Sequence, residues 1–378
     1  MTVRILQGDC REVLRGLPDE SVHCCVTSPP YLGIRHYGVG AASGEIGSES
    51  SMAEHLAILV DVFREVRRVL RRDGTCWVNY GDSYASGGNG GGGSFAKDHI
   101  RIAEQGTSKN EATRKGKRGV EGAIKRKDLM MLSNRLAIAL QDDGWYVRQE
   151  NVWFKTNAMP DSAADRPGCA HEKVWMLTRS AKYFYDAVAV RTPLRPKSLS
   201  FVNASRGAGK ATADPLATNS RSANMAKDMP VRLMRGETRD TYGRHTLDEN
   251  IPDGQRRDKQ RGHSRRHVGF NERWVAMSKE EQQAAGANLR NVWPIATANF
   301  PDGHFAVMAD EIAEICIKAG CPKGGTVLYP FLGAGTTAVV SDRLGMDCIG
   351  IELNHGYVEM ARRRVTRDAP LLAEVSVG

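Results

Sequence analysis

The sequence predicts an α/β protein built on a doubly wound, mostly parallel sheet, and three observations carry that expectation. Helical and strand patterns alternate: Met52 to Arg71 places Leu56, Leu59, Val60, Phe63, Val66 and Leu70 at helical spacing, and the β-rich run Thr75-Cys76-Trp77-Val78-Asn79-Tyr80 follows it. Towards the C-terminal end, Gly324-Gly325-Thr326-Val327-Leu328-Tyr329 reads as a strand that enters the glycine-rich turn Pro330-Phe331-Leu332-Gly333-Ala334-Gly335-Thr336-Thr337. A further strand, Asp347 to Glu352, ends in a carboxylate about 20 residues downstream, where nucleoside-binding α/β folds hold ribose hydroxyls. A chain of 378 residues can bury a sizeable core as one large domain or two.

The formal net charge of +9 favours a polyanionic partner, although charge alone does not separate DNA from RNA or an anionic membrane surface. No apolar run is long enough to span a bilayer. Met1-Thr2-Val3-Arg4-Ile5-Leu6 is a strand candidate and lacks the apolar core and cleavage pattern of a signal peptide. The eight cysteines are scattered, with no CxxC pair, and read as buried or free thiols of a reducing cytoplasm. His263 and His267 lie four apart in an Arg-rich tract without acidic or Cys partners, so no metal site is expected.

In chain order, Val3 to Gln7 is a short strand, and Asp9 caps a helix from Arg11 to Arg15 that stops at Gly16. Ser21 to Val26 is the next strand. It leads into Thr27-Ser28-Pro29-Pro30-Tyr31, where two prolines fix φ near about −65° and remove two backbone donors. The stiff segment holds one hydroxyl, unpaired carbonyls and one aromatic ring in a fixed relation. Ser28 and the Pro29 carbonyl can accept from an NH2 group while Tyr31 stacks on a flat ring. The following loop, Leu32 to Gly38, has the glycines and aromatics of a lid.

The basic face of the Met52–Arg71 helix (Arg64, Arg67, Arg68, with Arg71 and Arg72) reads as a solvated surface, and Gly74 as its end. From about 83 to 127 the composition changes to a Gly/Ser tract and then a basic run, an insertion expected to be disordered alone and to lie along a polyanion when bound. Asp128 to Leu140 is helical again and Trp145 to Phe154 a strand. Lys173 to Asp186 is expected to form a β-hairpin at the sheet edge. Residues 192–290 match neither period and are rich in Arg, Lys, Ser, Asn and Gly; their densest basic cluster is Arg256, Arg257, Lys259, Arg261, Arg265 and Arg266. Folded character returns at Asn291 to Ile295 and in a helix from Asp310 to Ala319.

Thr27-Ser28-Pro29-Pro30-Tyr31 early in the chain, with Pro330-Phe331-Leu332-Gly333-Ala334-Gly335-Thr336-Thr337 late, resembles the β group of DNA amino-methyltransferases. The block Trp153-Phe154-Lys155-Thr156-Asn157-Ala158-Met159-Pro160, followed by Asp165-Arg166-Pro167 and His171-Glu172, is similar to a long and specific segment of the same group. The resemblance covers the first eighty or so residues, about Trp145 to Arg191, and about Asn291 to Arg364. Thr156 stands where proline is common, Gly168 where threonine is common, and Val307-Met308 replaces the usual F-P. Tyr329 stands where the group strongly favours aspartate.

The resemblance implies a Rossmann-like methyltransferase fold, circularly permuted because the catalytic motif precedes the cofactor motif. It implies a catalytic half at 1–191, a target-recognition region at 192–290 and a cofactor-binding half at 291–378. S-adenosylmethionine is the implied methyl donor, with Asp9, His304, Phe305, Pro330, Phe331, Gly333, Gly335, Thr336 and Glu352 around it. Ser28, Pro29, Pro30 and Tyr31 would hold a base flipped from double-stranded DNA, and the basic cluster from Arg256 to Arg266 would contact DNA. A bacterial or phage cytoplasm is the implied setting; the resemblance admits a restriction endonuclease as partner and a homodimer, and no membrane.

Serine at the head of the motif leans towards N4 of cytosine over N6 of adenine. Cytosine C5 chemistry would need a Pro-Cys nucleophile, and no cysteine here directly follows a proline. A nicotinamide-binding alternative lacks GxGxxG and leaves the Ser-Pro-Pro-Tyr segment unexplained. A relative that binds DNA with impaired catalysis is the competing reading, and Tyr329 is what supports it.

Overall fold

The computed structural model describes residues 1–33, 45–85, 122–161, 163–193, 278, 286–298, 308–368 and 374–378. The chain divides into two compact units, one formed by Met1–Val190 with Leu289–Gly378 and the other by Arg191–Asn288. In the second unit the described residues include a bridge between Thr192 and Ala287. The first unit holds all the named elements.

In chain order these are β1 (Thr2–Gln7), α1 (Cys10–Arg15), β2 (Val22–Thr27), α2 (Met52–Val69), β3 (Leu70–Tyr80), α3 (Leu132–Asp142), β4 (Tyr146–Lys155) and β5 (His171–Thr178). They continue with β6 (Val292–Ile295), α4 (Asp310–Gly320), β7 (Thr326–Tyr329), α5 (Thr336–Arg343), β8 (Asp347–Glu352), α6 (His355–Asp368) and β9 (Glu374–Val377). The strands form one sheet in the order β6-β4-β5-β3-β2-β7-β8-β1-β9. Only β5 pairs antiparallel, with β3 and β4; every other pairing is parallel.

Side-chain alternation along β2 shows how the sheet is covered on both faces. Cys25 packs into a cluster with Leu59, Phe63 and Val66 of α2 and with Leu136 of α3. Its neighbours Cys24 and Val26 point the other way, into a cluster with Ile312, Ala313 and Cys316 of α4. Period two in the strand against 3.6 in the helices gives each residue one face to fill. A third cluster joins Val3 and Ile5 of β1, Val339 of α5 and Val358, Ala361 and Val365 of α6.

The chain turns in opposite directions from the two central strands. From β2 it crosses through α2 to β3, and from β7 through α5 to β8, while β2 and β7 pair directly, Cys25 against Leu328. Such a reversal opens a crevice at the carboxyl ends of the strands, where ligands of open α/β sheets bind.

Two expectations change and a third, the solvated basic face of α2, gains its surface partners. Helix α2 stops at Val69, and Gly74 lies within β3, where an added Cβ would come within 2.9 Å of the His23 carbonyl oxygen. The hairpin is β4 with β5, inside the sheet; residues 179–186 form no strand, and the amides of Phe184 and Asp186 bond the carbonyls of Asp73 and Ala319. The arginines of α2 are engaged on the protein itself, Arg64 with Asp61 and Asp143, Arg68 with Glu65 and Asp19. Of the cysteines, all but Cys169 are buried and all are free thiols; burial pushes Cys10 and Cys348 up to about 12, so they stay protonated. Among the described residues no helix is long and apolar enough to cross a membrane, and no group of His, Cys, Asp and Glu is arranged to hold a metal.

Candidate active site

The carboxyl ends of β1, β2, β3, β4, β7 and β8 and the start of antiparallel β5 share one edge of the sheet, and their following residues wall a single pocket. Ser28, Pro29, Pro30 and Tyr31 enter it from β2. Tyr329, Pro330, Phe331 and Gly333 enter from β7, Glu352 from β8, and Asp9 from β1. Motifs about 300 residues apart in the chain are thus neighbours, since β2 and β7 are paired.

The β7 turn is built for close backbone approach. Gly333 has φ +54 and donates its amide to Glu352 Oε2 at 2.8 Å, while Asn354 donates to Oε1 at 2.8 Å. Burial raises the Glu352 carboxyl above its ordinary range, although the amides of Asn354, Gly333 and Leu353 pull it down. Thr336 opens α5 on the pocket wall, and no side-chain hydrogen bond caps this helix. Gly335 does not line the pocket. Its φ of +81 and the 2.7 Å between an added Cβ and the Ala361 side chain make it a packing glycine between α5 and α6.

Asp9 both caps and lines. Its Oδ1 accepts from the Arg11 amide at 2.8 Å, and its carboxylate pairs with the Arg11 guanidinium. Burial works against the charge, yet the Arg11 bonds outweigh it and hold the carboxyl below the usual range. Tyr329 is buried among Val3, Ile5 and Leu332 and also reaches the pocket wall.

The Tyr31 ring is held from several sides. Its phenol donates to Glu172 Oε2 at 3.0 Å, and Gly81 lies so close that an added Cβ would stand 2.9 Å from Tyr31 Cε2. Burial, then the Glu172 carboxylate, holds the phenol well above its ordinary range, so it keeps its proton. The Tyr31 ring meets Tyr80 edge-on, centroids 5.0 Å apart at 89°. Tyr80 is fixed in turn by His55 Nε2 at 2.8 Å, and His55 Nδ1 lies 2.8 Å from Glu49. Glu172 also accepts from Asn79 Nδ2 at 3.1 Å and from Lys155 Nζ at 2.6 Å, and Lys155 sits over the Trp153 ring.

Asn79, Trp153, Lys155, Glu172 and Glu45 therefore belong to the pocket wall and were not among the residues singled out from the sequence. Lys155 and Glu172 lay inside the motif block, which was the available signal. Asn79 had none: it reaches Glu172 through the β3–β5 register, Asn79 against Val174. His304 and Phe305, the lid positions beyond Gly33, and the basic cluster Arg256, Arg257, Lys259, Arg261, Arg265 and Arg266 lie outside the described residues.

Among the described lining residues, the carboxylates Asp9, Glu45, Glu172 and Glu352 face a single ammonium, Lys155. A carboxylate at the end of β8, a glycine backbone, apolar walls at Phe331 and Ile351 and a surplus of negative charge suit a nucleoside that carries a cationic centre. S-adenosylmethionine has that description.

Comparison with known proteins bears this out. The model of the N6/N4 DNA methylase family matches residues 22–363. The type II methyltransferase M.SmaI of Serratia marcescens is 34% identical over 364 residues, spanning 96% of this chain and 91% of that protein. M.Cfr9I of Citrobacter freundii is 34% identical over 362 residues, 96% of this chain and 87% of that protein. Among solved structures, the cytosine-N4-specific PvuII DNA methyltransferase has a TM-score of 0.51 at 13% identity over 99% of this chain and 96% of that one. The Thermus thermophilus protein TTHA0409, complexed with S-adenosyl-L-methionine, has a TM-score of 0.50 at 20% identity, with 100% and 98% covered. The structural likenesses establish a shared methyltransferase fold. The matched sequence runs from β2 into α6 and takes in both walls of the pocket, and on that evidence the chain belongs to the N6/N4 family of DNA methylases.

Proposed function

We propose that this S-adenosylmethionine-dependent DNA methyltransferase methylates N4 of cytosine, and that the Ser28–Tyr31 segment holds the flipped base. The observation that carries the reading is one pocket walled by Ser28, Pro29, Pro30 and Tyr31 on one side and by Gly333 and Glu352 on the other. S-adenosylmethionine supplies an already activated sulfonium methyl, so the protein's task is orientation.

Glu352, with the Gly333 turn and Asp9, would hold the nucleoside end. The Pro29 carbonyl and Ser28 Oγ would accept from the exocyclic NH2, and the Tyr31 ring would stack on the base. Both prolines deny the segment backbone donors, so what it offers an amine is acceptors. Serine at the motif head favours cytosine. Region 192–290 is our candidate for target recognition, with Arg256, Arg257, Lys259, Arg261, Arg265 and Arg266 on DNA. A cytoplasmic enzyme, paired with a restriction endonuclease in the cell or acting alone, fits this reading; a homodimer would be detected by its mass in solution.

Incubation of the purified protein with tritiated S-adenosylmethionine and unmethylated duplex DNA, followed by nucleoside digestion and mass analysis, tests the assignment. N4-methylcytosine is the expected product. N6-methyladenine would replace the base assignment and keep the pocket. Cofactor binding by calorimetry with no labelled nucleoside from any DNA would favour the impaired relative, with Tyr329 as the first residue to exchange.

A further inference from the structure

We propose that His55 is a positioning residue for methyl transfer, holding the Tyr31 ring on one side and the Glu45–Gly47 wall of the pocket on the other. The inference rests on the assignment of Ser28–Tyr31 to the flipped base. Stacking a base in a reactive pose requires the ring and the backbone that carries it to be fixed together, and His55 reaches both.

His55 lies in the first turn of α2, fully enclosed, and each of its ring nitrogens has a partner. Nε2 stands 2.8 Å from the Tyr80 hydroxyl, and the Tyr80 ring meets Tyr31 edge-to-face with centroids 5.0 Å apart. Nδ1 stands 2.8 Å from Glu49 Oε2. Glu49 accepts the Gly47 amide at 2.8 Å, and the Gly47 carbonyl accepts the Gly33 amide at 2.8 Å. Gly47 has φ +102, and an added Cβ there would stand 3.2 Å from the Tyr31 carbonyl oxygen and 3.3 Å from Pro30 Cβ. The contacts close a ring that runs from Tyr31 through Tyr80, His55, Glu49 and Gly47 back to Tyr31. Glu45 and Ile46, next to Gly47, line the pocket.

An imidazole suits this place because its two nitrogens point apart in one rigid ring. Burial opposes the charge on Glu49, yet the bonds from His55 and Gly47 hold its carboxyl below the ordinary range. An ionised carboxylate only accepts, so Nδ1 carries a hydrogen. The Tyr80 hydroxyl can donate to Nε2 or accept from it, so that contact stands in either charge state of the ring. A buried carboxylate–imidazole pair adds little net stability over apolar residues of similar size. What it supplies is direction: from one point on α2 it sets Tyr80 against the Tyr31 ring and Gly47 against the Tyr31 backbone.

The two arms predict different defects. Tritium transfer to unmethylated DNA at saturating cofactor is compared for the full-length protein, Tyr80→Phe, His55→Asn, their double variant and Glu49→Ala. Cofactor affinity is measured by calorimetry and the folded fraction by thermal melting on each. Tyr80→Phe removes only a hydroxyl and keeps the core volume, while His55→Asn keeps an amide near Nδ1 for Glu49 and loses Nε2. Each should lower kcat about fivefold, the size of one oriented hydrogen bond, with cofactor Kd unchanged within about twofold. The double variant should be no slower than the slower single variant, because both cut the same arm. Glu49→Ala releases Gly47 and with it Glu45 and Ile46, so it should also weaken cofactor binding about fivefold. The Tyr80→Phe and His55→Asn results decide the proposal even where Glu49→Ala folds poorly.

Wild-type kcat in Tyr80→Phe, a double variant as slow as the product of the two single effects, or an equal loss of cofactor affinity in every variant would each overturn the proposal. Tyr31→Ala separates it from the base assignment. A slow Tyr31→Ala beside a fully active Tyr80→Phe removes the role of His55 alone. Full turnover in Tyr31→Ala, or wild-type protein that labels no DNA, removes the base assignment and the role with it.

Discussion

Glu352 sits where burial and hydrogen bonding oppose each other: enclosure raises its carboxyl, while the Gly333 and Asn354 amides favour the charged form. Folding alone then gains from protonation. The stability linked to this group is fully present below the ordinary glutamate value and is lost as pH rises through the higher folded value. Binding a ribose hydroxyl works in the other direction, because the ionised carboxylate is the better acceptor. Cofactor affinity should therefore fall on acidification before the ordinary glutamate value of 4.5 is reached, and Glu352→Gln should bind roughly tenfold more weakly near neutrality with that pH dependence removed. Calorimetric titrations across roughly pH 5 to 8 check both. At Gly81 the demand is steric. Gly81→Ala puts a methyl 2.9 Å from Tyr31 Cε2 and 3.3 Å from Cζ, so a loss of ~1–3 kcal/mol in a denaturant melt is expected, together with slower turnover and intact cofactor binding.

Among the elements, α3 is held at its start by a residue that precedes it by fifty positions. Met131, at its N-terminus, has φ +55 and provides no side-chain cap. Instead Asp82, just beyond β3, accepts the Leu132 amide at 3.1 Å and the Ser83 amide at 2.9 Å. Asp82→Ala should cost ~1 kcal/mol and raise amide exchange selectively in the first turn of α3; an unchanged exchange pattern would count against the cap. No local sequence rule finds such a cap. The same holds for the Tyr31–Glu172 contact, which depends on the register of β3 with β5, Tyr80 against Lys173. What the sequence does express locally is legible: the 3.6 period of α2, the glycine turn after β7, and the stiff proline pair after β2. The edge hairpin expected at Lys173–Asp186 failed for the complementary reason. Its aromatic run Tyr183-Phe184-Tyr185 has strand composition, but the backbone there bonds Asp73 and Ala319 and does not enter the ladder.

For the whole molecule, charge decides how DNA is held before it is read. With a net charge of +9, affinity for duplex DNA should fall linearly on a log–log plot against salt, with a slope of roughly −0.9 per phosphate neutralised. Replacing Arg265 and Arg266 by Gln should flatten that slope by roughly 1 to 2 and weaken all sequences alike; a change confined to one sequence would make these residues base readers. The pairing of distant segments also governs how the site is assembled. Seven strands named above contribute to the pocket edge because the sheet gathers them, so the two motifs are legible together in the sequence while Asn79, set beside Glu172 by strand register, is not.

That sheet has a further consequence, which concerns time. Strand β1 lies between β8 and β9, and Thr2 bonds Asp347 across 345 residues. At a synthesis rate of roughly 5–20 residues per second, the first strand leaves the ribosome roughly 20 to 70 s before its partners exist. Val3 and Ile5, fully enclosed in the finished protein, spend that interval as an unpaired apolar strand. The nascent chain thus passes its synthesis with one end waiting, open to a holdase or to a neighbouring copy on the same messenger. Its cofactor pocket, whose Asp9 corner follows directly from β1, closes last.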